Sequence, residues 1–287
     1  MKRVGLIGFP LAHSLSPLIQ GVAFAHHALP ERYELWETEA SQIEERVRGL
    51  RAGDCLGANV TIPHKEAVIP YLDELDPLAG KTGAVNTVVN RQGRLYGHNT
   101  DVTGFARALT EAGFSAQGGR AVILGAGGAA RAVGVALVGA GVAEIALSDI
   151  VPARSEALAA TLWSLAPAIA IRACGPDDES FREATTACRL LVNCTPVGMR
   201  HSGSEGQLPL AAEMIPPGAL VFDLVYNPPV TPLLAAARAR GARVIGGLSM
   251  LVYQAAASFK LWTGLVAPED LMLAAAREAL AVGEGSG

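Results

Sequence analysis

The sequence predicts an α/β protein made of two successive strand-and-helix series, each folding around its own sheet. Three observations carry that expectation. Short apolar runs alternate with segments of helical period along nearly all 287 residues, the pattern of βα units on a mostly parallel sheet. The alternation starts afresh at Arg120, where a continuous apolar run ends in a glycine-rich turn. The length also suits two domains, at roughly 100–200 residues each.

In the first series, strands are expected at 3–8, 31–37, 57–61 and 85–90, with helices over 17–28, 41–53 and 65–72. A helix over 103–119 bridges to the second series. There the run Ala121-Val122-Ile123-Leu124 reads as a strand buried on both faces. Further strands follow at 143–148, 190–193, 220–223 and 243–245, with helices over 129–139 and 231–240. Two closing helices, 250–263 and 268–280, come after the last strand and are expected to fold back on the first domain. The expected division is therefore residues 1–103 completed by 248–287, and residues 104–247. The tail 283–287, Gly-Glu-Gly-Ser-Gly, reads as frayed.

Composition narrows the function. Half of the residues are hydrophobic, 17% are charged and the net charge is -4, which argues against a nucleic-acid partner because phosphate binding needs a basic stripe. No apolar run approaches the ~18 residues of a membrane span. The chain enters its first strand at once, with no signal-peptide pattern. Its four cysteines form no CxxC and have no histidine at metal-binding spacing, so no metal is expected, and reduced thiols in a cytoplasmic protein are.

Gly125-Ala126-Gly127-Gly128-Ala129-Ala130 follows an expected strand, opens an expected helix and fits G-x-G-x-x-A. In a Rossmann-type domain the glycines allow the tight turn and a close backbone approach to a pyrophosphate, and the helix N-terminus supplies N–H groups. Asp149, about 20 residues on, stands where an acid accepts hydrogen bonds from the adenosine ribose and repels a 2′-phosphate. With Ile150 and Val151 beside it, this chemistry favours NAD over NADP. Arg154 is the residue that would serve NADP instead.

Four polar clusters fall at expected strand ends, where α/β domains build sites. The first, residues 8–17, contains Ser14 and Ser16, and Ser16 before Pro17 reads as a helix N-cap with proline at N1. The second, residues 59–65, ends in Lys65 beside an expected helix N-terminus, an unfavourable place for a cation. Asn86-Thr87 interrupts an apolar strand. The fourth, Gly97 to Asp101, precedes a helix that Thr100 or Asp101 would cap.

Taken in order, these motifs resemble the shikimate dehydrogenase family, including its quinate/shikimate branch. The resemblance runs through His-Ser-Leu-Ser-Pro (13–17), Asn-Val-Thr-Ile-Pro-His-Lys (59–65), Gly-Ala-Val-Asn-Thr (83–87), Gly-His-Asn-Thr-Asp (97–101) and the glycine loop (125–130). It continues through Asn-Cys-Thr-Pro-Val-Gly-Met (193–199), Asp-Leu-Val-Tyr-Asn-Pro (223–228) and Gly-Leu-Ser-Met-Leu-Val-Tyr-Gln (247–254).

The resemblance implies an N-terminal α/β substrate domain, a Rossmann-type domain and a cleft between them. It implies that Lys65 and Asp101 are the catalytic pair. Ser14 and Ser16, with Tyr226, would hold a substrate carboxylate, while Thr61, Asn86 and Gln254 would surround ring hydroxyls. Gly125, Gly127, Gly128, Ala129, Ala130, Asp149, Arg154, Thr195, Val197, Gly198, Gly247 and Met250 would form the dinucleotide site. Oxidising an alcohol removes its O–H proton as hydride leaves carbon, so an acid/base group must stand within hydrogen-bond reach. A partly desolvated lysine at a helix N-terminus suits that task. Which of the pair carries the proton stays open.

The chain departs from the family pattern in three places. Gln20-Gly21 replaces His-Asn, Asp149-Ile150-Val151 replaces the Asn-Arg-Thr of NADP users, and Ser249 stands where glycine is frequent. The expected activity is NAD-linked interconversion of shikimate and 3-dehydroshikimate, with quinate and 3-dehydroquinate as a second pair, by a monomer or homodimer. The sequence leaves open NADP-linked biosynthetic use, a non-catalytic sensor of nucleotide and metabolite, and a related tetrahydrofolate dehydrogenase. The Ser14/Ser16 cluster disfavours the last.

Overall fold

The computed structural model of the chain describes residues 2–284, so the part of the frayed tail at 285–287 lies outside the described residues. The elements run β1 (Arg3–Gly8), α1 (Ser16–His26), β2 (Arg32–Glu37), α2 (Ile43–Gly49), β3 (Cys55–Val60), β4 (Glu74–Leu75), α3 (Pro77–Thr82), β5 (Thr87–Arg91), β6 (Arg94–His98) and α4 (Thr100–Glu111). They continue β7 (Arg120–Leu124), α5 (Gly128–Gly139), β8 (Glu144–Ser148), α6 (Pro152–Leu165), β9 (Ala170–Ala173), α7 (Glu179–Thr186) and β10 (Leu190–Asn193). Last come β11 (Leu220–Asp223), α8 (Pro232–Ala239), β12 (Arg243–Gly246), α9 (Leu248–Thr263) and α10 (Glu269–Glu284). The chain forms two compact units, Met1–Gly104 with Val252–Gly287, and Phe105–Leu251.

The first unit holds a six-stranded sheet of order β2-β1-β3-β5-β6-β4. Its strands β1, β2 and β3 are parallel, and β5 runs antiparallel to both β3 and β6. Reversal of β5 puts the start of that strand on the same sheet edge as the ends of β1, β3 and β6. The apolar residues of these strands (Ile7, Ala58, Val60, Val88 and Leu95) pack with Ile43, Val47 and Leu50 from around α2 into one core.

The second unit is wholly parallel, with order β12-β11-β10-β7-β8-β9. Read from β7, the chain moves out through β8 and β9 and then returns to the other side through β10, β11 and β12. The order therefore reverses beside β7, the place where open α/β sheets bind ligands. Val122, Leu191 and Val221 pack there against Leu233 and Leu234 of α8 and Phe181 of α7.

Several expectations need correction. Residues 65–72 form no α-helix, only turns and a 3-10 turn at Ile69–Tyr71. The carbonyl of Lys65 accepts the N–H of Val85 (2.8 Å), and Pro70 has no N–H for the carbonyl of Glu66. Lys65 thus faces no helix dipole. The helix expected over 41–53 is a 3-10 turn, Ala40–Gln42, followed by the shorter α2. The bridging helix stops at Glu111, and α10 extends through Glu284, past the start of the expected frayed tail. Strands β4, β6 and β9 are additional to the expected strands. Strand β5 starts at Thr87, two residues later than expected.

Candidate active site

One edge of the first sheet gathers the polar clusters. The loop after β1 brings Ser14, the turn after β3 brings Thr61 and Lys65, the approach to β5 brings Asn86, and the end of β6 leads into Thr100 and Asp101. Backbone hydrogen bonds fasten these segments together: Phe9 N–H donates to the Ile62 carbonyl (3.1 Å), Thr61 N–H to Ile7 (2.8 Å) and Asn86 N–H to His98 (3.1 Å). His64, buried beside Lys65, hydrogen-bonds the Thr38 carbonyl at 2.6 Å and anchors the turn from below.

Lys65 and Asp101 meet in this frame. Lys65 Nζ lies 2.5 Å from Asp101 Oδ2, and the two side chains are 14% and 7% exposed. A charge-assisted hydrogen bond this short and this shielded is stronger than a surface pair. The second carboxylate oxygen, Oδ1, accepts from Asn86 Nδ2 at 2.9 Å. The same amide nitrogen reaches Thr100 Oγ1 (2.9 Å) and Gln254 Oε1 (3.2 Å), and Asn86 Oδ1 accepts the Thr100 N–H at 2.7 Å. Asn86, rather than Thr100 or Asp101, therefore caps the first turn of α4. Gln254 arrives on α9, far away in sequence, and completes the cluster.

Ser16 is not the N-cap that the sequence suggested. Leu15 is the N-cap of α1, and Ser16 is its first helical residue with no capping hydrogen bond from its side chain. Ser14 Oγ instead accepts the Ser16 N–H (3.2 Å). Burial pushes the phenol of Tyr33 well above the ordinary tyrosine range, and the neighbouring buried Ser16 side chain pulls the other way. Tyr33 in turn donates to Asn59 Oδ1 at 2.8 Å.

In the second unit, the candidate cofactor residues lie at the carboxyl edge of the parallel strands. Gly125 follows β7 with φ +90°, where a Cβ would come within 3.0 Å of Thr195 Cγ2, so the glycine loop packs directly on the turn after β10. Gly127 is exposed and extended at the N-cap of α5, and a Cβ there would meet nothing within 4 Å. Gly128, Ala129 and the fully buried Ala130 form the first turn of that helix. An open glycine over a twelve-residue helix N-terminus fits a dinucleotide pyrophosphate.

Asp149 ties this loop to the next one. Its Oδ2 accepts the Ala126 N–H and its Oδ1 the Val151 N–H, both at 2.8 Å. Arg154 stands exposed in the first turn of α6. Thr195 donates to Asn193 Oδ1 (2.6 Å) and accepts the Val197 N–H (3.2 Å), which shapes the turn through Gly198. Gly247 serves packing: a Cβ there would stand 2.0 Å from the Leu224 carbonyl oxygen. Met250 is buried, and Tyr226 is half-buried in the loop after β11.

Behind these loops the motifs 193–199 and 223–228 are joined through their first residues, Asn193 and Asp223. Asp223, fully buried, accepts from Asn193 Nδ2 (2.9 Å), Thr231 Oγ1 (2.6 Å) and Val225 N–H (3.1 Å). Burial pushes its carboxyl above the usual range, against the opposing pull of those three hydrogen bonds. In the first unit Ser258 is a further polar group of the cluster, and its spacing of one helical turn from Gln254 is the sequence signal that places it there.

A shielded lysine–aspartate pair in one unit and a reversed parallel sheet with an open glycine loop in the other are the equipment of a dinucleotide-dependent oxidoreductase. The chain belongs to the shikimate dehydrogenase family. Residues 6–88 match the family model of the shikimate dehydrogenase substrate binding domain, and residues 247–277 that of the shikimate 5′-dehydrogenase C-terminal domain. A shikimate dehydrogenase (NADP(+)) of Moorella thermoacetica is 47% identical, over 98% of this chain and 95% of its own. The solved shikimate 5-dehydrogenase of Thermus thermophilus, in complex with NADP(H) and shikimate, is 40% identical with a TM-score of 0.86, covering 98% of this chain and 100% of that one. A quinate dehydrogenase of Corynebacterium glutamicum in complex with NAD has a TM-score of 0.88 at 31% identity, over 96% and 99% of the two chains.

Proposed function

We propose that this protein interconverts shikimate and 3-dehydroshikimate with a nicotinamide dinucleotide, and that Lys65 and Asp101 handle the hydroxyl proton. The observation that carries the reading is the 2.5 Å Lys65–Asp101 pair, shielded from water and braced by Asn86. The bound dinucleotide supplies the hydride acceptor. The chain's task is then to place the reacting hydroxyl within reach of the pair and to take its proton as the hydride departs. Thr61, Asn86 and Gln254 are assigned to the ring hydroxyls, and Ser14 and Ser16, with Tyr226, to the carboxylate. Gly125, Gly127, Gly128, Ala129, Ala130, Thr195, Val197, Gly198, Gly247 and Met250 are assigned to the dinucleotide.

For the cofactor, NAD is the proposed partner. Asp149 puts a carboxylate after β8, and Ile150 and Val151 next to it are exposed aliphatic side chains with nothing to offer a phosphate. A second reading, NADP held by Arg154, is favoured by the 47% identity to the shikimate dehydrogenase (NADP(+)) of Moorella thermoacetica. Initial rates with shikimate and quinate, each against NAD+ and NADP+, separate the two. Turnover of shikimate with NAD+ above NADP+ supports the proposal, and the reverse ratio selects Arg154. Absence of turnover in all four combinations, with binding retained, would point to a sensor.

A further inference from the structure

A buried hydrogen-bond network runs beneath the site of the first unit and joins its two ends. At one end stands Tyr33, next to the buried Ser16 side chain, and its hydroxyl donates to Asn59 Oδ1 (2.8 Å). Asn59 Nδ2 then lies 3.1 Å from each of three acceptors, the Asn86 carbonyl, Thr87 Oγ1 and Ser258 Oγ. Ser258 Oγ sits 2.7 Å from Thr87 Oγ1 and 3.1 Å from Thr100 Oγ1, and donates to the Gln254 carbonyl at 2.9 Å. The far end is Asn86, which holds Asp101. Asn59 is buried, and Thr87 and Ser258 are fully so.

Packing alone does not explain such a network. Buried polar groups destabilise unless all are satisfied, and apolar residues of the same shape would serve a core as well. What the network adds is geometry. It links β2, β3, β5, α4 and α9 through directional bonds, and each of these elements or its flanking loop carries or supports a site residue.

We propose that Tyr33, Asn59 and Ser258 are positioning residues that fix the distance between the Ser16 end of the site and the Lys65–Asp101 pair. None of the three is assigned to the substrate. They act through Ser16, Asn86, Thr100 and Gln254. The inference rests on the reaction proposed above, because it requires a substrate held at both ends.

The test is steady-state kinetics on the full chain with shikimate and the better of NAD+ and NADP+, alongside thermal unfolding. Variants are Tyr33→Phe, Ser258→Ala, Ser258→Thr, the double variant Tyr33→Phe/Ser258→Ala and Asn59→Ala. Tyr33→Phe and Ser258→Ala should each lower kcat roughly tenfold, since small displacements of reacting groups are amplified in rate. Ser258→Thr, which keeps the hydroxyl, should recover most of the loss. The double variant should lose less than the sum of the singles, because both act through Asn59. If Asn59→Ala does not fold, the milder variants decide. Kinetics within about twofold of the parent, with only the melting temperature lowered, would reduce the network to a structural role. A parent protein with no turnover of shikimate would refute the reaction and the positioning role together, whereas parent turnover with unaffected variants would refute the positioning role alone.

Discussion

The two units build their sites from different materials. In the first, side chains hold side chains: Lys65 on Asp101, Asp101 on Asn86, Asn86 on Thr100 and Gln254. In the second, the loops are backbone brought close to backbone, and the carboxylates of Asp149 and Asp223 serve to tie peptide groups in place. The difference matches the chemistry proposed for each. A proton is handed over by a titratable group at one point, whereas a pyrophosphate is cradled by N–H groups spread along a turn. The first site should therefore fail on loss of a side chain, and the second on gain of one.

The largest effect tests the first half of that contrast. Lys65→Ala should cut turnover by about a thousandfold, within the usual range for a lost general acid/base, while the melting temperature stays near that of the parent. Steady-state rates and a thermal melt on the same preparation decide it, and near-normal turnover would end the assignment. Gly247→Ala tests the second half. Its Cβ would press on the Leu224 carbonyl, so the variant should lose about 1–3 kcal/mol of stability and bind the dinucleotide more weakly, as read by chemical denaturation and cofactor titration.

A smaller change is expected from Asp149→Asn. The amide keeps only one acceptor for the two N–H groups and drops the charge, so the ratio of NAD+ to NADP+ efficiency should fall several-fold, roughly up to tenfold. An unchanged ratio would remove Asp149 from cofactor selection.

The finest distinction lies in pH. Burial raises Asp76 in the first unit, but its hydrogen bonds with His98 and the Ala79 N–H outweigh that and hold the carboxyl below the usual range. Its stabilising effect is present above the unfolded value of about 3.9 and is lost as pH falls through the lower folded value. Asp223 is shifted upward, so its contribution is fully present below that unfolded value and diminishes as pH rises through the folded one. The destabilisation caused by Asp76→Asn should thus grow from acid to neutral pH, and that caused by Asp223→Asn should shrink. Denaturation series at several pH values would show the opposite slopes, and parallel slopes would contradict the assignment.

Legibility in the sequence follows the same divide. The second sheet was readable because parallel strands buried on both faces leave continuous apolar runs, as in Ala121–Leu124. Strand β9 escaped because Ala170–Ala173 is half-exposed at the sheet edge and contains Arg172. In the first sheet, β6 hid behind a two-residue hairpin whose turn residue Gln92 adopts φ 57°, with Gly93 following at φ 87°. The Gln-Gly pair was the signal, weaker than Asn-Gly. The polar clusters announced the site residues, but their pairing depends on that unseen antiparallel strand, which alone brings Asn86 to Asp101. Ser258 lay inside an apolar helix, where one hydroxyl reads as filler.

Helix α9 has a consequence for biosynthesis. The unit Phe105–Leu251 is one uninterrupted stretch of chain, whereas the first unit is finished by Val252–Gly287. Gln254 and Ser258 belong to that last stretch, and Trp262 from it donates to the Val88 carbonyl at 3.0 Å. During vectorial synthesis the parallel-sheet unit can thus close while the first-made segment still awaits its partner. A nascent chain interrupted before α9 would carry both Lys65 and Asp101 yet lack Gln254 and Ser258, so the hydrogen-bonded cluster around Asn86 is completed only once α9 has been made.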